Sequence, residues 1–506
     1  MKKPSTDLFD LIKTLDKSEK RFFQQFAHRH SIKGENIYYQ LFKMISVQST
    51  YNEEGLKQEL AGQKAAKNFA VVKKQLYEQL VLALHQYHQV HSISEKIKRD
   101  LHITKVLLRK RLFKQCQKRI KLIEKTIQNY NLKEYQIELL ELKYQLAAHE
   151  SFKNTSVQDL ESYQNELLKA IRDIEDLGKM RQASHTIQAL HYKKVRIESL
   201  KDYEVFQELL TNAEKTTNLR LEVERLRGLA TYYFMSGQPK ESHLANVQLL
   251  EWFEEHDKLL ILFPQTYIST FNNYLIDNLQ LKNFGALEVG LKKLERLQEE
   301  VPFKNISNLT MRMAQQRFLL ELNWIITTGD FQKSDYLIPQ LDIFLKKNQS
   351  TIHSHLRVTL YYLMAYCCFA TSKFDDALGY LNKILDTKEE VVTEIIEFAR
   401  LLNILTHFEL GNFELLESLI LTTRRWLRNK RNLYKTEKTI FLYLRKWMNV
   451  VDRRGQQEVW DNLLIEVEDC KTNPKEQRVF NYFNVSAWAL SKRDKMEFME
   501  VYKRLV

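Results

Sequence analysis

The fold is decided by one stretch: Tyr361-Tyr362-Leu363-Met364-Ala365-Tyr366-Cys367-Cys368-Phe369-Ala370-Thr371-Ser372-Lys373-Phe374-Asp375-Asp376-Ala377-Leu378-Gly379-Tyr380-Leu381-Asn382-Lys383-Ile384-Leu385. Its first half places Tyr361, Met364, Ala365 and Cys368 three and four residues apart, on one side of a helix. A polar break follows at Thr371–Lys373. Then Ala377, Leu381 and Ile384 resume the same spacing. Two helices joined by a short turn make a hairpin, with Phe374 packed into its corner and small Ala377 allowing the second helix close to the first.

Further copies of the turn recur along the chain: a small or basic residue, any residue, an aromatic (proline in the copy at 239), two residues, then a small or apolar one. They read Arg111-Leu112-Phe113-Lys114-Gln115-Cys116, Gly237-Gln238-Pro239-Lys240-Glu241-Ser242, Lys282-Asn283-Phe284-Gly285-Ala286-Leu287, Gly329-Asp330-Phe331-Gln332-Lys333-Ser334 and Gly411-Asn412-Phe413-Glu414-Leu415-Leu416. From Pro239 onward the intervals are 45, 47, 43 and 39 residues. The first residue ends a helix where the backbone must reverse. One hairpin cannot bury its apolar side alone, so hairpins stack.

Composition supports helices throughout. At average usage the chain of 506 residues would hold roughly 25 prolines and 35 glycines, against 6 and 12 here. Between Pro4 and Pro239 lie 234 residues without proline, which suits long helices and short loops. Elsewhere too the period is helical, as in Ile120, Ile123 and Ile127. With 44% apolar residues the chain has enough to bury, and 506 residues exceed one core. The class expected is all-α.

These repeats resemble the tetratricopeptide repeat superfamily, with a longer period and without its closing proline. The copy before Gly329 supplies Phe318, Leu322 and Ile325, followed by Phe331 and Ser334. The resemblance implies an α-solenoid of stacked, TPR-like hairpins with lengthened helices over 93–506, its phasing open between 130 and 220. It also implies that first-helix residues line an inner groove for a peptide or partner helix, here Asn323, Tyr362 and Tyr366. The carboxylate-binding version of that groove is disfavoured by Leu319 and Leu320. The bland reading of the tyrosines is packing between hairpins.

Residues 1–92 form a separate helical module, with helices expected near 6–15, 18–30, 35–47, 53–60 and 65–91 and N-caps at Ser5 and Ser18. A helix-turn-helix centred on Gly62 would need a small residue at Gln58 and an apolar one at Asn68, and has neither. A cap for the solenoid fits better.

Net charge is +13, concentrated in two places. Residues 91–125 hold twelve Lys/Arg against three acids, and 424–454 eleven against two. Each is +9, so the remainder is −5. On a helix, Lys98, His102, Lys105 and Arg109 form one stripe and Lys114, Lys118, Lys121 and Lys125 another. Arg424, Arg428 and Arg431 form a third, with Arg425, Lys430 and Trp426 beside it. These are candidate anion-binding faces, with nucleic acid as the alternative partner. The bland reading is a solvated face; Arg beside Trp strengthens the functional one for 424–431.

The usual catalytic signatures are missing. Gly285–Gly290 approaches a phosphate loop but has Leu291 in place of lysine. No Gly-x-Ser-x-Gly elbow or His-Glu-x-x-His occurs, and no histidine has Glu three residues before it. His85, His88 and His91 are spaced as helix neighbours but rotate apart; His28/His30 and His353/His355 are weaker. Cys116, Cys367, Cys368 and Cys470 lack metal or disulfide spacing and read as reduced core residues. The first residues lack an apolar run, and the longest such run, Leu360–Ala370, is eleven residues, short of a membrane span. The expectation is a cytoplasmic, non-enzymatic interaction protein with no cofactor, no metal and no membrane partner.

Overall fold

Six helix ends are set by one backbone device. Arg111, Gly237, Lys282, Gly329, Ser372 and Gly411, the first residues of the recurring turn, all adopt left-handed φ between 57° and 74°. Each N–H reaches back three residues, as from Arg111 to Leu108 and from Ser372 to Phe369. In all but Gly329 the next N–H reaches back five, as from Leu112 to Leu107 and from Lys373 to Cys368. This satisfies the orphan carbonyls of the ending helix and reverses the chain. The small or apolar residue that follows, Cys116, Ser242, Leu287, Ser334, Ala377 or Leu416, is buried in every copy. The ring is less constant: Phe331 is buried, while Phe413 is 41% exposed.

The computed structural model describes residues 5–29, 37–61, 68–89, 92–192, 210, 218–306, 309–349, 351–387 and 393–506. His30, Gly62 and His91, invoked above, lie outside them. Among the described residues all regular structure is helical. The chain forms α1 (Asp7–Thr14), α2 (Lys17–Arg29), α3 (Ile37–Val47), α4 (Glu53–Glu59), α5 (Phe69–Gln89), α6 (Ile93–Arg109), α7 (Phe113–Tyr130) and α8 (Gln136–His149). There follow α9 (Val157–Tyr192), α10 (Leu219–Met235), α11 (Pro239–Glu255), α12 (Asp257–Leu262), α13 (Pro264–Gln280), α14 (Phe284–Leu297), α15 (Leu309–Thr328) and α16 (Ser334–Lys347). The last are α17 (Ser354–Ala370), α18 (Phe374–Leu385), α19 (Thr393–Glu409), α20 (Phe413–Arg428), α21 (Lys435–Met448), α22 (Arg453–Lys471), α23 (Gln477–Tyr482), α24 (Val485–Asp494) and α25 (Phe498–Leu505). No helix of the described residues is long and apolar enough to cross a membrane.

The chain divides into two units, residues 1–277 with 301–307, and residues 278–300 with 308–506. In the first, α1 to α5 enclose their own core around Leu8, Ile12, Phe23, Leu41, Leu56 and Leu76. The cap of α2 is Asp16, not Ser18: the Glu19 N–H donates to Asp16 at 2.8 Å, and the Asp16 N–H donates back to Glu19 at 2.9 Å. Helices α6 to α11 then pack in chain order, each on the next. Two further turns of the same kind appear at Asn131 and Ser151, where the following N–H again reaches back five residues.

In the second unit α17 to α20 also pack in chain order. Its core runs through α17, with Leu360, Met364, Ala365 and Cys367 fully enclosed. The C-terminal helices depart from nearest-neighbour stacking. Phe483 and Phe498 lie 5.3 and 5.6 Å from Phe369, and Tyr502 lies 5.1 Å from Phe331. The end of the chain therefore folds back onto α17 and the turn before α16.

Candidate functional site

Of the residues expected to line a partner groove, Tyr362 and Tyr366 are enclosed by the protein itself and Asn323 is half-buried. Tyr362 and Tyr366 are 3% and 2% exposed. The Tyr362 hydroxyl donates to the Tyr482 carbonyl at 3.1 Å, and the Tyr366 hydroxyl accepts the Asn484 N–H at 3.2 Å. Burial pushes both phenols well above their ordinary value. The half-buried Asn323 bonds back to the Leu319 carbonyl of its own helix at 2.7 Å. The segment Tyr482–Asn484, more than a hundred residues later, covers the tyrosine face.

The arginine stripe separates into two parts. Helix α20 ends at Arg428, so Arg431 lies beyond it and escapes the helical spacing. Arg431 instead donates to Glu397 at 2.7 Å and twice to Glu437, at 2.7 and 3.0 Å. Burial opposes its charge, but the two carboxylates outweigh burial and hold the guanidinium protonated more firmly than usual. It is an internal ion-pair residue. Arg425, Arg428 and Lys430 are exposed and Arg424 half-exposed. Trp426 is half-buried, with the Arg400 guanidinium 4.6 Å from its ring centre. The indole face that could stack on a base is thus engaged within the fold.

The lysine stripes also differ. On α6, Lys98 pairs with Glu95 at 2.7 Å and Lys105 with Glu138 at 2.5 Å. On α7, Lys114, Lys118, Lys121 and Lys125 are all exposed and form no ion pair among the described residues. Cys116, Ile120, Ile123 and Ile127 bury the opposite face of that helix. At 100° per residue the four ammonium stems fall within about 60° of one another, over about 16 Å of axis. Leu122, beside them, is 63% exposed.

Of the histidine cluster, His88 Nε2 meets Glu19 at 2.8 Å. Among the described residues no three His, Cys, Asp or Glu side chains gather as metal ligands do. All four thiols are buried.

One polar cavity of about 240 Å³ was not legible as a site. It lies in the first unit among α9, α10, α11 and α13. Its rim is exposed at His191, Phe234, Ser269 and Asn273, and its floor is buried at Ser242, Asn246, Thr270 and Asp277. Asp277 is 1% exposed. It accepts Asn246 Nδ2 at 2.7 Å and the Ser242 hydroxyl at 3.3 Å, and it has no cationic partner among the described residues. Burial outweighs these two bonds and raises its carboxyl to about 6. Arg227 lines the same cavity. A second cavity, at Lys73 and Glu53, is self-satisfied. Burial would raise the Glu53 carboxyl, but Lys57, Lys73 and Tyr51 hydrogen-bond it and hold it down at about 2.

Compared with models of known protein families, with curated proteins and with solved structures, the chain gives no match.

Proposed function

We propose that the protein is a non-enzymatic interaction scaffold whose partner is an acidic protein segment docked on Lys114, Lys118, Lys121 and Lys125. In this reading residues 93–506 form a TPR-like α-solenoid with lengthened helices, and residues 1–92 cap it. The observation that carries the reading is the row of four exposed, unpaired ammonium groups on one helix face. Such a row raises the local concentration of anions and sets the register of a partner bearing carboxylates at matching intervals.

A protein partner is favoured over nucleic acid by what flanks the row. Exposed Leu122 offers apolar area to an amphipathic helix. Phe113, at the start of the same helix, stacks on His149, and Trp426 in the other basic stretch is engaged by Arg400.

The test is affinity capture of the full chain from its native cell, with and without nuclease, beside a variant carrying Lys→Glu at all four positions. A discrete partner that survives nuclease and is lost from the variant supports the scaffold. Loss of every partner on nuclease treatment hands the lysine face to nucleic acid. A partner kept by the variant removes the face from the account.

A further inference from the structure

The cavity among α9, α10, α11 and α13 is lined by two groups of opposite charge, Asp277 and Arg227, that do not pair with each other. Asp277, on its floor, receives hydrogen bonds from an amide and a hydroxyl but faces no cation among the described residues. A buried carboxylate without a counter-charge is costly to keep, and its raised pKa is the mark of that cost. On another wall is Arg227. It shares a single carboxylate, Glu224, with Arg181; the contacts are 2.9 Å from Arg227 Nη2 and 3.5 Å from Arg181 Nε. The closer contact is poorly aligned, since neither Arg227 Nε nor Glu224 Oε2 has a hydrogen-bond partner, although both are buried. Among the described residues, two guanidinium groups meet this one carboxylate.

Arg227 and Asp277 line the same cavity and do not pair with each other. Two opposite charges that line one cavity without pairing match a molecule that carries both. The space of about 240 Å³ corresponds to roughly eight waters at ~30 Å³ each. Thr231, Ser269 and Asn273 add polar groups to the lining, and Phe234 and Ile276 add apolar wall. This mixture of convergent polar groups and apolar lining is the usual make-up of a small-ligand site.

We propose that this cavity binds a small zwitterion, a free amino acid, with its ammonium on Asp277 and its carboxylate on Arg227. The ligand's ammonium supplies the counter-charge that Asp277 lacks among the described residues, its carboxylate adds to the Glu224 contact of Arg227, and both contacts are charge-assisted. The proposal is independent of the lysine face on α7.

The experiment is calorimetric titration and thermal melting of the full chain. The probes are glycine, alanine, and the ω-amino acids from β-alanine to 5-aminopentanoate, whose lengths measure the span between the two groups. Propionate and propylamine, each with one of the charges, are the controls. One or more amino acids are expected to bind and to raise the melting temperature with concentration, and the controls are expected to bind far more weakly. Asp277→Asn and Arg227→Gln, each checked for native helicity, are both expected to lose affinity on the order of tenfold or more. Absence of binding by every zwitterion at millimolar concentration overturns the proposal. So does equal binding by either single-charge control, or retained affinity in both variants.

Discussion

The Tyr366 hydroxyl accepts the backbone N–H of Asn484 at 3.2 Å, across 118 residues of chain. Tyr366→Phe leaves that half-buried N–H without its protein acceptor, a loss of about 1 kcal/mol. Tyr366→Ala also empties a ring site beside Phe331 and Phe483 and is expected to cost about 3–5 kcal/mol. Denaturant unfolding of the two variants should rank them in that order. A neutral Tyr366→Ala would mean that the C-terminal segment does not cover this face in solution.

Arg431 is expected to matter for stability where Arg424, Arg425 and Arg428 do not. Removing it strands Glu437, whose side chain is fully buried, and Glu397 at 10% exposure. Arg431→Ala should destabilise by about 3–5 kcal/mol. Alanine at each of the other three should stay within about 0.5 kcal/mol. Melting temperatures of the four single variants decide the matter.

Asp277 makes stability depend on pH with a definite sign. Its folded-state pKa of about 6 lies above its ordinary value of 3.8, so between these values the native state holds a proton that the unfolded chain has released. Stability therefore rises as pH falls from 7 through 6, and levels off near 4. The gap between the two values bounds the effect at roughly 3 kcal/mol. Asp277→Asn should be more stable than wild type at pH 7 and show a flatter profile between pH 7 and 5, read by melting in matched buffers.

The lysine face should be structurally silent. Because Lys114, Lys118, Lys121 and Lys125 are exposed and form no ion pair among the described residues, single Lys→Ala changes should alter stability by no more than about 0.5 kcal/mol. A larger loss, measured by thermal denaturation, would show that the lysines support the fold.

Gly329 and Gly411 separate two effects of a left-handed turn. Both have φ near +74°, so alanine at either meets the same backbone cost of about 1–2 kcal/mol. A Cβ at Gly329 would also lie 3.1 Å from Tyr502 and Lys503, whereas at Gly411 nothing stands closer than 3.9 Å. Gly329→Ala should therefore be the more damaging in a side-by-side melt.

Local geometry was legible in the sequence because hairpin ends are local. The pattern shared by Arg111, Gly237, Lys282, Gly329, Ser372 and Gly411 marks six left-handed helix ends, three of them without glycine. The turns at Asn131 and Ser151 escaped because Lys133 and Lys153 stand two positions on, where the recognised copies carry phenylalanine or, at 239, proline. What the sequence hides is which face a distant segment will cover. Helical period places Tyr362 and Tyr366 on a side of α17, but the chain that buries them comes more than a hundred residues later. Arg431 was misread for a smaller reason, since the helix whose spacing it continued had already ended at Arg428. Asp277 gave only a faint signal. It sits seven residues after Thr270, on the stripe that also buries Tyr267 and Phe271, where a lone carboxylate looks like an ordinary surface acid.

The return of the last helices onto α17 changes how this half of the molecule comes apart. In a strictly linear stack, terminal hairpins can be peeled away one after another while the remainder survives. Here the final eight-residue helix is tied to elements more than a hundred residues upstream, so the second unit is a closed loop of contacts rather than an open row. Trimming from the C-terminus exposes Phe331, Tyr366 and Phe369 together. A chain shortened before Phe498 therefore forfeits the cooperativity of the whole unit, and a nascent chain cannot complete this core until Phe498 and Tyr502 have been made.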